Sequence, residues 1–268
     1  MRVNRSTYYK HFSAVESNRA KEDNVLKSHI LVLHGKYKKR LGVKKMTCML
    51  NREYGLNVGL SKVRRLMRSM NLPKNFSKKS PNYSSKSESG DYKNILNRKF
   101  HQSAPNQIWV SDITYIKVGQ KWFYLCVIID LFSRKVISWK ISDKPDAELV
   151  VSTFKKAYAN RNFPKGLIFH SDRGSQYTSA TFRKLLADFD VIQSFSGKGC
   201  PYDNAVAESF FKFLKSEAIN LQKFSNLTDL KSALFEYIDG FYNPKRPHSS
   251  NDFLSPDDFE SAYFLNLS

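Results

Sequence analysis

The chain has 268 residues, with 44 Lys and Arg against 24 Asp and Glu, a formal net charge of +20 and a hydrophobic share of 41%. That length suits one large domain or two modest ones, and the hydrophobic share excludes a chain disordered by composition. The longest apolar run, Trp122 to Ile129, is too short to cross a bilayer, and MRVNRSTYYK lacks the apolar core of a signal peptide. Cys48, Cys126 and Cys200 are odd in number and widely spaced, which suggests neither a disulfide framework nor a Cys-rich zinc site. A cytosolic protein with reduced thiols and no membrane partner is expected.

The charge is unevenly placed. Residues 1–100 hold 24 basic and 6 acidic side chains, a net +18, whereas the remainder holds 20 and 18, a net +2. A positive field gathered in one part points to a polyanionic partner, most often nucleic acid, against the plainer reading of a solvated basic face. Residues 1–74 are basic and helix-patterned, residues 75–104 have the Ser, Lys and Asn of a linker, and residues 105–268 alternate strands with helices. Within the first region, Lys44 to Leu72 reads as a helix ending at Gly55, a short turn, and a second helix capped by Ser61. Val63, Leu66, Met67 and Met70 form its core stripe, while Arg64, Arg65 and Arg68, with Lys62 beside them, fall on the other side. This is the pattern of a helix-turn-helix DNA reader or of an ordinary amphipathic hairpin; the charge favours DNA.

Three β-patterned runs follow, Ile108 to Lys117, Trp122 to Asp130 and Lys135 to Ser142, with turns at Gly119-Gln120 and Phe132-Ser133. Asp146 to Asn160 reads as a helix, Gly166 to His170 as a strand, Ser179 to Asp188 as a helix and Val191 to Phe195 as a last strand. The loop SGKGCPYDN leads into the helix AVAESFFKFLKSE. Such an order implies a mixed sheet covered by helices. Trp109 and Trp122 are expected in its core, and Val206, Phe210 and Phe213 are expected to press the last helix onto it. The loop Ser196 to Pro201 fits a flap over DNA or a plain connection.

Three acids stand where a catalytic sheet would display them. Asp112 lies inside the first strand, where a carboxylate is costly unless paired or bound to metal. Asp172 follows an apolar strand at its carboxyl end, where α/β sheets place ligands. Glu208 shares a helix face with Lys212 and Lys215. Singly, each has a plain reading: a paired structural acid, a turn residue, and an i,i+4 partner of Lys212. Converging carboxylates without His or Cys suit Mg²⁺ or Mn²⁺, and two such ions can act on a phosphodiester. Asp130 is expected to pair with Arg134, and His170 to be a hydrogen-bonded residue at a strand end.

WVSDITYI, HSDRGSQYTS and DNAVAESFFKFLKSE resemble the three signature blocks of DDE-type transposases and retroviral integrases, with thirty-five residues between Asp172 and Glu208. YNPKRPHSSNDFLSPDDF resembles the C-terminal signature of bacterial insertion-sequence transposases of the IS-three family, second-reading-frame type. VNRSTYYK and the segment Lys36 to Leu72 resemble that family's helix-turn-helix region. The resemblance implies a ribonuclease H-like α/β domain preceded by a basic all-α region, and strand cleavage and transfer at the ends of an insertion sequence. It also implies that Asp112, Asp172 and Glu208 hold two Mg²⁺ or Mn²⁺ ions and that Lys215 contacts the DNA end. Implied partners are element and target DNA, further copies of the chain, and an upstream first-reading-frame protein, joined by frameshifting, with the complex acting in the nucleoid. A metal-dependent nuclease on the same fold and a non-catalytic regulator derived from a transposase are the alternatives, and the intact acids argue against the second.

Overall fold

Caps and turns set the helix ends of the first of two units, residues 1–76 and 77–268, in a computed structural model that describes residues 17–72 and 92–266. VNRSTYYK and the start of the expected linker lie outside the described residues. Ser17 caps α1 (Asn18–Lys36) by accepting from the Ala20 amide. α2 (Val43–Tyr54) ends at Gly55, whose φ of +63° is a left-handed conformation that costs glycine little. In the turn that follows, the Asn51 amide group accepts from the Val58 N–H at 2.9 Å and donates to the Val58 carbonyl at 3.3 Å. α3 (Leu60–Ser69) then starts from Gly59. Ser61 is therefore inside the helix and is not its cap, because the extended backbone at Gly59 already makes the entry. Ile30, Leu33, Met46, Leu50, Val63 and Leu66 close a small core between the three helices, whereas Met70, expected in the stripe, sits half-buried beyond the helix end.

In the second unit the first three strands form a meander: β1 (Ile108–Val118), β2 (Lys121–Asp130) and β3 (Val136–Ser142). α4 (Ala147–Asn160), capped by Asp146, leads to β4 (Ile168–Ser171). α5 (Ala180–Asp188), capped by Ser179, leads to β5 (Ile192–Phe195). The sheet order is β3-β2-β1-β4-β5, with β1–β2–β3 antiparallel and β4 and β5 added in parallel to β1. That order and mixture, covered by helices, is the ribonuclease H-like arrangement. Trp109, Phe154, Phe169 and Phe182 interlock beneath α4 as the main core, with ring centroids 5.3 to 6.2 Å apart.

Beyond β5 come α6 (Ala205–Glu217), α7 (Leu227–Tyr237), a π turn reaching Tyr242, and α8 (Pro256–Leu265). The tail between the last two helices binds the β2–β3 end of the sheet. Asn243 both donates to and accepts from the Val136 backbone, Asn251 donates to the Ser133 carbonyl, and Tyr242 donates to the Arg134 carbonyl. Glu260 on α8 takes a bidentate pair from Arg161 and a hydrogen bond from Ser133. Two expectations need correction. From Tyr92 onward the chain is bound to the second unit and is no linker: the Phe195 amide donates to the Lys93 carbonyl, and the Ile95 and Leu96 amides donate to the Ser194 hydroxyl. Asp130 forms no ion pair with Arg134; its two oxygens accept instead from the amides of Asn106 and Phe132 at 2.8 and 2.9 Å.

Candidate active site

The parallel register of β1 and β4 pairs Ile108 with Ile168, Trp109 with Phe169 and Val110 with His170. Continuing it by two residues sets Asp112 beside Asp172, which immediately follows β4. Neighbouring strands lie about 4.8 Å apart, so the two carboxylates face a common space at the carboxyl end of β4. One oxygen of each is aimed by the backbone. The Ile113 amide donates to Asp112 Oδ1 at 2.8 Å, and the Gly174 amide donates to Asp172 Oδ1 at 3.0 Å. A Cβ on Gly174 would stand 3.0 Å from Asp172 Oδ1 and 2.8 Å from Gln176 Oε1, so a side chain there would push on the Asp172 carboxylate and displace Gln176. Burial pushes the Asp112 carboxyl up to about 7, and the charges of Asp172 and Glu208 push it the same way against the pull of Lys215.

Glu208 belongs to the first turn of α6, where the helix dipole favours an anion, and burial raises its pKa. Ala207, Phe210, Phe211 and Leu214 are the buried face of this helix; Val206 and Phe213, expected there, are half-buried. Lys212, half-buried, forms no ion pair with Glu208. Lys215 turns toward β1, its ammonium 5.0 Å from the centre of the Tyr115 ring. Burial lowers its pKa, and the Asp112 charge opposes that shift.

The three acids thus come to one end of the sheet, within reach of one another's fields. Among the described residues no three His, Cys, Asp or Glu side chains yet close around one point. The donor set nevertheless fits a hard divalent cation. It is all carboxylate oxygen, and a positive ion would offset the burial, and with it the like charges, that raise Asp112.

Two residues that sequence reasoning passed over hold this arrangement. Asn204, at the entry to α6, donates to the Ser111 carbonyl at 3.0 Å and so ties the Glu208 helix to the residue before Asp112. Asp203 accepts from the Gly197 amide, Asn94 and Arg98, which pins the loop Ser196 to Pro201 to the chain around Asn94. An Asp-Asn pair before a helix suggests a cap, and only the tertiary fold gives it these partners. His170 is buried between the hydroxyls of Ser194 and Ser196 at 2.9 and 3.1 Å, as expected of a strand-end residue, and burial pushes its pKa down to about 4. Trp109 is core as expected. Trp122 is not: it is 48% exposed near the tip of the β1–β2 hairpin.

In the first unit the basic side chains of α3 divide. Arg65 bonds Asp23 on α1 at 2.7 Å, and Lys62 lies 3.4 Å from Glu22 and 3.6 Å from Asp23. Both thus pair with acids of α1, and the Arg65 side chain remains 48% exposed. Arg64 and Arg68 are exposed and form no ion pair among the described residues.

Three family models match the chain in succession: an HTH-like domain over residues 21–80, an integrase core domain over 102–201, and a second integrase core domain over 208–264. With the sheet order above, they define a helix-turn-helix region joined to an integrase-type catalytic core, the class of polynucleotidyl transferases. Over 240 residues the chain is 38% identical to the transposase for insertion sequence element IS904 of Lactococcus lactis, covering 89% of this chain and 94% of that one. Over 168 residues it is 42% identical to the transposase InsF for insertion sequence IS3A of Escherichia coli, covering 63% and 58%. The chain belongs to the IS3 family of insertion-sequence transposases. Among solved structures it is similar to the HTLV-2 integrase catalytic core domain in complex with magnesium, 21% identical with a TM-score of 0.46 over 59% of this chain and 98% of that one. It is also similar to the simian T-cell lymphotropic virus intasome in complex with PP2A regulatory subunit B56 gamma, 19% identical with a TM-score of 0.48 over 86% and 74%.

Proposed function

We propose that this transposase cleaves and transfers DNA strands at the ends of its insertion sequence through Asp112, Asp172 and Glu208. The observation that carries the reading is the β1–β4 register, which sets Asp112 beside Asp172, with Glu208 near enough for its charge to act on Asp112. The backbone aims Oδ1 of each aspartate, leaving each Oδ2 free of protein hydrogen bonds among the described residues. Two Mg²⁺ or Mn²⁺ ions held by the three acids would supply a Lewis acid for the scissile phosphate and a means of activating the attacking oxygen. Asn204 and Gly174 keep the carboxylates in place for this chemistry. Lys215, with Lys212 beyond it, positions the DNA end by charge, and water and then the freed 3′-hydroxyl attack in line. No Ser or Tyr nucleophile is needed.

The basic first unit binds the element's terminal sequence, with Arg64 and Arg68 toward DNA and Lys62 and Arg65 holding α3 against α1. Copies of the chain assemble on the DNA together with an upstream first-reading-frame protein, made separately or as a frameshift fusion, in the cytoplasm on the nucleoid. A strand-transfer assay with labelled element ends tests the reading. Joined product in Mg²⁺ or Mn²⁺, and none in EDTA, is expected. Nicking without joining would instead make the chain a nuclease, and DNA binding without either would make it a regulator.

A further inference from the structure

We infer that the groove between the β1–β2 hairpin and the end of α6 is a stacking platform for an unpaired nucleotide of the DNA strand being processed. Large aromatic side chains are seldom left on a surface side by side without a partner. Here Tyr115 is 59% exposed and Trp122 48% exposed, and their rings meet edge to face with centroids 5.2 Å apart. The strand register explains the pairing: Lys117 lies opposite Trp122 and Tyr115 opposite Tyr124, so Tyr115, Lys117 and Trp122 share one face of the hairpin. Each ring carries an ammonium, Lys215 at 5.0 Å from the Tyr115 centroid and Lys117 at 5.9 Å from that of Trp122.

The groove measures about 670 Å³, within the usual range of ligand clefts. Lys117, Lys215 and Lys223 line it, and no Asp or Glu does. Its two walls are fixed to each other, because Gly119 at the hairpin turn donates its amide to the Phe224 carbonyl at 3.2 Å. Flat apolar rings flanked by ammonium groups match a nucleotide, whose base stacks while its phosphates pair with lysines. A base inside a duplex has both faces covered by its neighbours, so the ring faces select an unpaired one. The location suits this. Lys215 lines the groove from the helix that carries Glu208, and its ammonium is close enough to Asp112 to feel that charge. The inference rests on the reading that the neighbouring acids act on DNA.

The test uses the full-length chain with three fluorescent probes: oligo(dT), an abasic oligodeoxynucleotide of the same length, and a blunt duplex. Stacking predicts that the wild type prefers oligo(dT) to the abasic strand by about tenfold. Trp122→Ala should erase most of that preference, Trp122→Phe should keep most of it, and duplex affinity should stay unchanged in both. Equal binding of oligo(dT) and abasic strand by the wild type, or an undiminished preference in Trp122→Ala, would overturn the platform. So would equal weakening of oligo(dT) and duplex binding. Metal-dependent cleavage is scored on the same wild-type preparation. Base preference without cleavage would sink the catalytic reading alone, and cleavage without base preference would sink the platform alone.

Discussion

Glu217 and Arg246 meet inside the second unit as a buried bidentate pair, Nε on Oε2 at 2.9 Å and Nη2 on Oε1 at 2.7 Å. The Tyr237 hydroxyl donates to the same Oε2 at 2.9 Å, and the guanidinium lies 4.0 Å from the centre of the Phe213 ring. The pair fastens the last residue of α6 to the tail that follows α7. The helix that carries Glu208 at its start is thereby held at its end by the segment resembling the family's C-terminal signature.

Removing one partner of a buried pair strands the other charge, which costs about 3–5 kcal/mol. Arg246→Ala should lose that much in urea unfolding, and Arg246→Lys should recover only part, since a lysine cannot reproduce the fork. An Arg246→Ala variant within about 1 kcal/mol of wild type would show that the clamp does not hold the unit together.

Gly174 offers a test of positioning. A methyl group there meets Asp172 Oδ1 at 3.0 Å, so Gly174→Ala should displace that carboxylate while the rest of the unit stays folded. Strand transfer is expected to fall by about tenfold or more, as misplacement by an ångström does at reacting centres, with the thermal midpoint nearly unchanged. Normal transfer by this variant would mean that the Asp172 orientation is not limiting.

Much of this was legible in the residues. The order of strands and helices followed from local pattern, including helix starts at Asp146 and Ser179, which cap their helices, since turn chemistry and periodicity are short-range signals. What escaped depended on distant partners. The pairing of Lys62 and Arg65 with Glu22 and Asp23 gave no local signal, because those acids lie some forty residues earlier on another helix. Trp122 read as core because its strand is apolar, but the hairpin tip leaves it exposed. Asp203 and Asn204 carried no signal for hubs whose partners are a loop, a strand carbonyl and the chain near Asn94. The acids stood out by their places on strand, strand end and helix, but each alone has a plain reading, and the family resemblance gave the three a common one.

The division of α3 predicts distinct salt behaviour. Arg64→Ala with Arg68→Ala should weaken duplex binding and reduce the slope of log K against log salt by about one for each phosphate no longer neutralised. Arg65→Ala should leave that slope in place and loosen the packing of α3 on α1 instead. An unchanged slope in the double variant would remove Arg64 and Arg68 from the DNA interface.

Asp130 predicts a pH dependence away from the acids of the site. Burial pushes its carboxyl up to about 6 in the folded chain against an ordinary value of 3.8, so the native state holds this proton more tightly than the unfolded state. Its contribution to stability is therefore complete below about 4 and is lost as pH rises through about 6. Relative to Asp130→Asn, the wild type should lose stability between pH 4 and pH 7, by up to about 3 kcal/mol at 1.36 kcal/mol per pH unit. Parallel urea-unfolding curves for the two proteins across that range would contradict the assignment.

The most direct test of the catalytic triad is strand transfer of a labelled element end into target DNA in Mg²⁺ by Asp112→Asn, Asp172→Asn and Glu208→Gln, each measured beside its duplex binding. All three variants should yield no joined product while binding DNA as the wild type does. Near-normal joining by any one of them would contradict the assignment of that residue, and joining by all three would place the chemistry elsewhere in the chain.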